Sequence, residues 1–499
     1  MIDALRAAGV ERGSLLALAV APGVGLGLAS MDGSLIASAA DDPCAVVAAI
    51  DAELHPRWVV WSIASAVTLV AADVRVSTSW DIAAVHRLLF GGWRADPERV
   101  WALMHQLGLD ALPNETPADL FHLDARADGD PEEPVRSDGY LRPDWVSGGW
   151  SASPDRLARW AGLAALVAAR QREALAALPE APYASVTARA ESSIELLCAE
   201  LATDGLPMRR DVAEAIIANI IGQRPSDDRE ADEQRRGRDA EVIRHVSNAD
   251  DLDLRSPGQV KSLLRRAGLE VPDTRAWRLR SLRDAHPVVD ALLAWRKAER
   301  VATTYGYGWL DDDMYAPVAR QLAVERSIAK VAVLGAMYGQ TTGHGAQALR
   351  RLESSYPVAM AYLRNADRAG QGSRSLRTTG GRLIDVGSTN ANDVTEREAR
   401  RIAAARGRYG RNAMVQGAAA ELFKMWALIV RTRAAPLNGR IVLCLHDELL
   451  VHVPAAQGET AARLVIDALD EAARRWSPGG VVRFVADVSV IERWSDAKS

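Results

Sequence analysis

The sequence predicts a mixed α/β fold of several domains. Short β-rich apolar runs alternate with Ala-rich stretches over residues 14–80, Ala- and Leu-rich helical patterns fill residues 154–221, and two apolar runs flank a polar turn at residues 442–454. The chain has 499 residues, of which 48% are hydrophobic. That length suits roughly two to four domains with sizeable cores.

Charge and cysteine content exclude several classes of protein. The formal net charge of −5 means that a nucleic acid would have to bind a local basic surface. Cys44, Cys198 and Cys444 form no CxxC pair and have no His at ligand spacing, so neither a zinc site nor a disulfide framework is predicted. No apolar run reaches the roughly 18 residues of a membrane span, and the first residues lack a signal-peptide core. We therefore expect a cytoplasmic protein.

The elements follow in order along the chain. Residues 14–80 predict a small sheet domain, and the Asp-, Gly- and Pro-rich residues 122–143 predict a surface loop. Helices are expected over residues 154–221, and the mixed-charge run 224–245 predicts an exposed helix. SPGQVKSLL predicts a helix that begins after an N-capping Ser256.

The last block, from residue 314, is predicted to be helical to about Glu353 and again from about Glu396 to Arg433. A hairpin, a helix and a final strand, VVRFVADVSVI, should complete it.

The hairpin VLCLHDELLVHVP carries the first candidate site. Two apolar β-rich runs flank His446, Asp447 and Glu448, so both carboxylates should lie at the tip of a tight turn. A pair of carboxylates there is costly unless a cation neutralises it, and a divalent metal is one explanation. An ordinary acidic turn is the alternative that this segment alone leaves open.

A helix in ERSIAKVAVLGAMYGQ would place Arg326, Lys330, Leu334 and Tyr338 on one face, beside Gly339. Two cations and an aromatic ring in one stripe suit a polyphosphate and a base, because charge-assisted hydrogen bonds hold phosphate and rings stack. An exposed helix face is the alternative.

A second stripe lies in RYGRNAMVQGAAAELFK. Arg408, Asn412 and Gln416 recur every four residues and can donate hydrogen bonds to groove-edge acceptors. Because minor-groove acceptors are placed alike in A·T and G·C pairs, such donors would test pair shape without reading sequence. A solvated helix face is again the alternative.

Together the three segments resemble the DNA polymerase I family, family A. Residues 326–339 look like its RxxxKxxx(F/Y)GxxYG fingers motif, residues 408–417 like its RxxxNxxxQG helix, and LHDE at 445–448 like its second acidic palm motif, in the family's order. The ending RWSDAK and the upstream stretches DLRSPGQVKSLL and ALLAWRKAERVATTY resemble its tail and thumb. The resemblance covers residues 185–499.

This resemblance implies an α/β (α+β) right-hand polymerase fold of thumb, fingers and palm, preceded by a ribonuclease H-like exonuclease-type domain. It divides the chain into residues 1–180 (exonuclease-like), 185–310 (thumb and the start of the palm) and 311–499 (fingers and the remaining palm). Template-directed DNA polymerase activity in repair or replication is implied, acting on primer-template DNA and deoxynucleoside triphosphates with two Mg²⁺ ions. A monomer is expected.

The resemblance also assigns roles to residues. Asp447 would bind metal, Glu448 would support the site, and His446 would lie near the primer terminus. The incoming nucleotide would meet the residues of the fingers motif, which are Arg326, Lys330, Leu334, Tyr338 and Gly339. Of these, Arg326 and Lys330 would grip the triphosphate, Lys330 could protonate the leaving pyrophosphate, and Leu334 stands where the family usually has Phe or Tyr. Arg408, Asn412 and Gln416 would contact the minor groove.

Part of the family pattern is missing. The first acidic palm motif, a DxSQxE-like strand, and a TGRLSS-like segment are not found, and ATTYGYGWL runs through Asp311, Asp312 and Asp313 directly toward the fingers motif. Since two metals about 4 Å apart need carboxylates from two strands, either this chain omits residues that the natural protein has or it is a deleted relative with little activity. The alternative function is a catalytically inactive primer-template binder. A scaffold for protein partners is a third interpretation.

The N-terminal block stands where the family has its proofreading domain, which needs four carboxylates. LLALAVAPG lacks the DxE pair, and Trp160 and Ala164 stand where the family has Tyr and Asp. Asp81 is interpreted as a helix cap. We therefore expect an exonuclease-like fold without exonuclease activity.

Overall fold

A computed structural model describes residues 1–112, 130–249, 251–305, 307, 357–387, 395–477 and 483–498. The chain forms two compact units. The first comprises Met1–Leu206 and Gln347–Ser499, and the second comprises Pro207–Ala346.

The helices of the first unit are α1 (Ile2–Ala7), α2 (Pro43–Leu54), α3 (Ile63–Ala71), α4 (Ile82–Phe90), α5 (Pro97–Met104), α6 (Pro143–Val146), α7 (Pro154–Ala176) and α8 (Ala181–Asp204). The helices of the second unit are α9 (Arg210–Ile221), α10 (Asp228–Ile243), α11 (Pro257–Arg266), α12 (Ala276–Arg280) and α13 (Pro287–Arg300). Back in the first unit follow α14 (Pro357–Gln371), α15 (Glu396–Ala434) and α16 (Gly458–Trp476). The strands are β1 (Leu15–Ala21), β2 (Gly25–Ser30), β3 (Leu35–Ala39), β4 (Arg57–Val60), β5 (Thr78–Asp81), β6 (Leu376–Arg377), β7 (Leu383–Ile384), β8 (Arg440–Leu445) and β9 (Glu448–His452).

The N-terminal residues build the predicted sheet. Its five strands lie in the order β3-β2-β1-β4-β5. The β3–β2 and β2–β1 pairs are antiparallel, and the β1–β4 and β4–β5 pairs are parallel. Strand β1 is buried on both faces: Leu16 and Leu18 join one core, whereas Ala17 and Ala19 join the core that contains α7. The small side chains on that second face let α7 lie close to the sheet.

Helix α15, 39 residues long, organises the C-terminal part of the first unit. It begins with a capping box between Thr395 and Glu398, near the predicted start. Its C-terminal half packs with the hairpin β8–β9 and with α16 around Trp426 and Val430. Among the described residues, the segment Glu396–Leu437 has the length and composition of a membrane span. Because its apolar face is buried in this core, we interpret it as a core helix of the fold.

The described part of the second unit is helical, with Leu263, Leu292 and Trp295 in its core. The charged run 224–245 forms the exposed helix α10, as predicted. Helix α11 begins after Ser256 as predicted, but the Ser256 side chain makes no capping hydrogen bond. Pro257 at the first helical position presets the backbone without that bond.

The predicted final strand is wrong over its described part. Residues 483–491 have no strand assignment, although Phe484, Ala486 and Val488 alternate toward the core of α15 and α16. The period-2 pattern therefore reports which side chains face inward. It does not supply the partner strand that a ladder of hydrogen bonds requires.

Candidate functional site: an acidic hairpin and an exposed helix face

The predicted acidic hairpin is present. Strands β8 and β9 pair antiparallel, with Leu445 opposite Glu448, so His446 and Asp447 form a two-residue turn. His446 has a φ of 55°, in the left-handed region that such turns demand and that Gly usually occupies. A histidine held in that conformation is a form of backbone strain, of the kind that clusters at functional sites.

The hairpin has a buried base and an exposed tip. Ile441 and Val442 are buried, whereas Asp447 and Glu448 are exposed. Cys444 lies between these regions, and burial, reinforced by the nearby Cys198 thiol, raises the pKa of the Cys444 thiol to about 11. The core thus fixes the strands while the two carboxylates face solvent, where they can meet a ligand.

The donor chemistry of this tip suits Mg²⁺ in part. Carboxylate oxygens are its preferred protein ligands, and one or two of them together with substrate phosphates suffice for one ion. Asp447 and Glu448 could provide these ligands. Within the described ranges, no cluster of three His, Cys, Asp or Glu side chains suits a metal, and Asp311, Asp312 and Asp313 lie outside those ranges. A second ion would need a carboxylate from elsewhere.

The predicted stripe on α15 is an exposed face. Arg408, Asn412 and Gln416 all lie within the helix and are exposed. In the part of the chain that the structure describes, none of the three has a hydrogen bond or ion pair. Their donors are therefore available to a ligand that lies along the helix.

Two arginines that we did not single out from the sequence extend this face. Arg397 and Arg401 are exposed, and at 3.6 residues per turn they share an arc of about 60° with Arg408 and Asn412. The seven-residue spacing between Arg401 and Arg408 was the signal that could have revealed them. The face therefore combines several guanidinium groups with two amides along a single helix.

The remaining predicted site residues cannot be placed. Arg326, Lys330, Leu334, Tyr338 and Gly339 lie outside the described residues. The nucleotide-binding assignments therefore stay predictions.

Aromatic and small apolar side chains pack between the N-terminal sheet and α7. Strand β1 carries no acidic residue. Trp160 of α7 stacks on Trp61 with ring centroids 4.8 Å apart, and Ala164 is fully buried. A Cβ at Gly27 of β2 would come within 2.0 Å of the Ala158 nitrogen, so the helix and strand backbones are nearly in contact. Asp81 accepts a hydrogen bond from the Ala84 amide at 2.8 Å, which confirms that it caps α4.

Residues 311–496 match the family model described as DNA polymerase family A. The thermostable DNA polymerase I of Thermus thermophilus is 29% identical over 184 residues, which are 35% of this chain and 21% of that protein. DNA polymerase I of Chloroflexus aurantiacus is 31% identical over 181 residues, 36% of this chain and 17% of that protein. The alignments thus span about a fifth of the length of these relatives.

Among solved structures, the POL domain of Pol1 from M. smegmatis in complex with DNA primer-template and dNTP matches with a TM-score of 0.51 and 16% identity, and the match covers 94% of each chain. This likeness shows a mixed α/β fold of the kind found in polymerase domains. The match of residues 311–496 to the family A model, with distant homology to DNA polymerase I over about a third of the chain, confirms the resemblance noted in the sequence.

Proposed function

We propose that this chain is a template-directed DNA polymerase that transfers a nucleotide from a deoxynucleoside triphosphate to a primer 3′-hydroxyl. The observation that carries the proposal is that residues matched to family A present both an exposed pair of carboxylates at a hairpin tip and an exposed donor face on α15. The first suits metal-assisted phosphoryl transfer and the second suits minor-groove contact.

The roles follow from the chemistry of the side chains. Asp447, supported by Glu448, would hold Mg²⁺, which when bound aligns the primer hydroxyl and stabilises charge on the transferred phosphoryl group. The pairing of β8 with β9 and the buried base of the hairpin hold this tip in place. Arg408 would bind a phosphate or a groove-edge acceptor. Arg326 and Lys330 would hold the triphosphate by charge-assisted hydrogen bonds.

An inactive primer-template binder is the second candidate. Within the described residues the palm hairpin is a two-stranded sheet, so its carboxylates come from one hairpin. A chain whose metal ligands come only from Asp447 and Glu448 would retain the DNA-contacting face of α15 and lose the two-metal site. Such a protein would bind primed DNA without extending it.

We infer that residues 1–180 are an exonuclease-like domain without proofreading activity. The mixed strand order, with two antiparallel and two parallel pairings, supports the ribonuclease H-like assignment. The Trp61–Trp160 stack and the buried Ala164 support the loss of activity, because apolar groups stand where metal ligands are required. A 3′-mismatched primer should therefore remain undegraded.

Primer extension with Mg²⁺ tests the proposal. The unmodified chain and Asp447→Ala are compared on one labelled primer-template, and binding of the same DNA is followed by fluorescence anisotropy at two salt concentrations. Extension by the unmodified chain alone supports the polymerase. Salt-dependent binding without extension supports the inactive binder, and neither extension nor binding would refute both.

We further propose that the protein acts in the cytoplasm as a monomer in repair or replication. The described cysteines, Cys44, Cys198 and Cys444, are all free thiols, which suits a reducing compartment.

A further inference from the structure

Helix α15 contains three glycines that its exposed face does not explain. Gly407, Gly410 and Gly417 lie within the helix, where each Gly is destabilising relative to Ala. At 3.6 residues per turn they lie on the side opposite Arg408 and Asn412. The elements that pack against this opposite side therefore explain why these positions are glycine.

Neighbouring elements press directly on these glycines. A Cβ at Gly407 would come within 2.7 Å of the Asp367 carboxylate on α14, and one at Gly417 would come within 2.8 Å of the Thr378 methyl carbon, Cγ2. The turn between β6 and β7, which contains Thr378, thus packs on α15 at Gly417, about 100° around the helix from Gln416. The distances leave no room for a methyl group on the helix without a shift of one partner.

Thr378 is held firmly in this place. Its side chain is 1% exposed, and its hydroxyl donates a hydrogen bond to Glu421 Oε1 at 2.6 Å. The same hydroxyl accepts a hydrogen bond from the Arg382 amide at 3.0 Å. Glu421, itself 2% exposed, lies one turn after Gly417 on α15. Thr378 therefore joins the turn to the helix through both a hydrogen bond and a methyl contact.

Charged groups on α8, α15 and the β6–β7 turn surround the contact between Thr378 and α15. Glu191 forms ion pairs with Arg382 at 2.6 Å and with Lys424 at 2.7 Å. Burial opposes ionisation of Glu191, but the two cations outweigh it and lower its pKa. Burial raises the pKa of the Glu421 carboxyl, which interacts with Thr378, Arg382, Glu191 and the Tyr362 hydroxyl. These ion pairs and hydrogen bonds connect α8, the β6–β7 turn and α15.

We propose that Thr378 is a positioning residue that sets the placement of Gln416 against DNA through its contact with Gly417. The inference rests on the proposed function of the α15 face. Thr378 lies on the buried side of the helix and contacts no DNA itself. It fixes the helix backbone behind the donors, whose hydrogen bonds to groove acceptors depend on sub-ångström placement.

The test uses Gly417→Ala, which adds the methyl group that Thr378 excludes. We expect primed-DNA affinity, measured by anisotropy, to fall about tenfold, as for an overpacked contact that moves the backbone. Adding Thr378→Ser keeps the hydroxyl but removes Cγ2, so the double variant should recover affinity to within about threefold. Gly237→Ala on α10 is the matched control, because a Cβ there meets nothing within 4 Å.

A double-mutant cycle with Gln416→Ala distinguishes displacement of Gln416 from a general loss of protein stability. If Gly417→Ala acts by displacing Gln416, it should weaken binding by less than about twofold further in a Gln416→Ala background. Urea unfolding confirms that every variant is folded at the assay temperature. The inference would be overturned if Gly417→Ala bound primed DNA as tightly as the unmodified chain. It would also be overturned if Gly417→Ala lowered the affinity of the Gln416→Ala variant by the same factor as it lowers that of the unmodified chain. If Gly417→Ala does not fold, Thr378→Ser, which removes Cγ2 and keeps the hydroxyl, takes its place under the same criteria. Lack of salt-dependent binding by the unmodified chain would instead refute the proposed function, and the inference with it.

Discussion

Asp81 allows a quantitative prediction about the N-terminal sheet domain. It ends β5, caps α4 through Oδ1, and is 1% exposed, while its Oδ2 is a buried atom without a hydrogen-bond partner among the described residues. Burial raises the pKa of this carboxyl to about 7. The nearby Glu195 acts in the same direction, and Arg87 and the cap hydrogen bonds oppose it.

The sign of the resulting pH dependence follows from proton binding. Between the ordinary pKa of 3.8 and about 7, the folded chain retains a proton that the unfolded chain has lost. The free energy of unfolding therefore falls as pH rises through this window and stays low above it. At 1.36 kcal/mol per pH unit, the two units between pH 5 and pH 7 correspond to about 2.7 kcal/mol.

Asp81→Asn removes this titration and keeps an oxygen for the cap. We expect the stability of the variant relative to the unmodified chain to improve by about 2–3 kcal/mol between pH 5 and pH 8, whatever constant offset the amide introduces. Urea unfolding at both pH values measures the difference. Asp42→Asn, at the exposed cap of α2, is the control and should show no comparable change. A difference for Asp81→Asn that is the same at both pH values would refute the reasoning.

Three further predictions concern the C-terminal part of the first unit. Asp447→Ala should abolish nucleotide incorporation while primed-DNA affinity stays nearly unchanged; incorporation comparable to that of the unmodified chain would remove Asp447 from the site. Replacing both Arg397 and Arg401 with Ala should reduce the magnitude of the slope of log K against log salt for primed DNA by about 1.8, and an unchanged slope would mean that these arginines contact no phosphate. Arg431→Ala should lower the free energy of unfolding by about 3 kcal/mol, because it leaves the buried Glu200 carboxylate without its bidentate partner. Chemical denaturation measures that loss, and a change below about 1 kcal/mol would show that the pair is replaceable.

Local patterns in the sequence were sufficient for the elements that carry the candidate site. The alternation around Asp447 predicted the hairpin, and the four-residue spacing of Arg408, Asn412 and Gln416 predicted a shared helix face. Both follow from the periods of strand and helix, which neighbouring residues determine. For the same reason the lack of carboxylates in β1 was visible at once.

Features that depend on distant partners were not predictable. The excluded volume at Gly417 depends on Thr378, which is 39 positions earlier in the chain. The raised pKa of Asp81 depends on burial by elements that its own segment does not identify. The strand predicted over residues 481–491 was wrong over its described part for the same reason. Phe484 and Val488 face the core, but an alternating pattern does not determine whether a partner strand is present.

The N-terminal sheet has a structural role in the first unit. Arg431 of α15 donates hydrogen bonds to the carbonyl oxygens of Val76 and Ser77, just before β5, at 2.9 and 3.2 Å. Arg377 of β6 donates to the Leu89 carbonyl of α4 at 2.8 Å. The N-terminal part of the first unit therefore contacts both α15, which carries the donor face, and β6, which precedes Thr378. Removing the N-terminal sheet would break these contacts together, so the packing of α15 depends on this sheet.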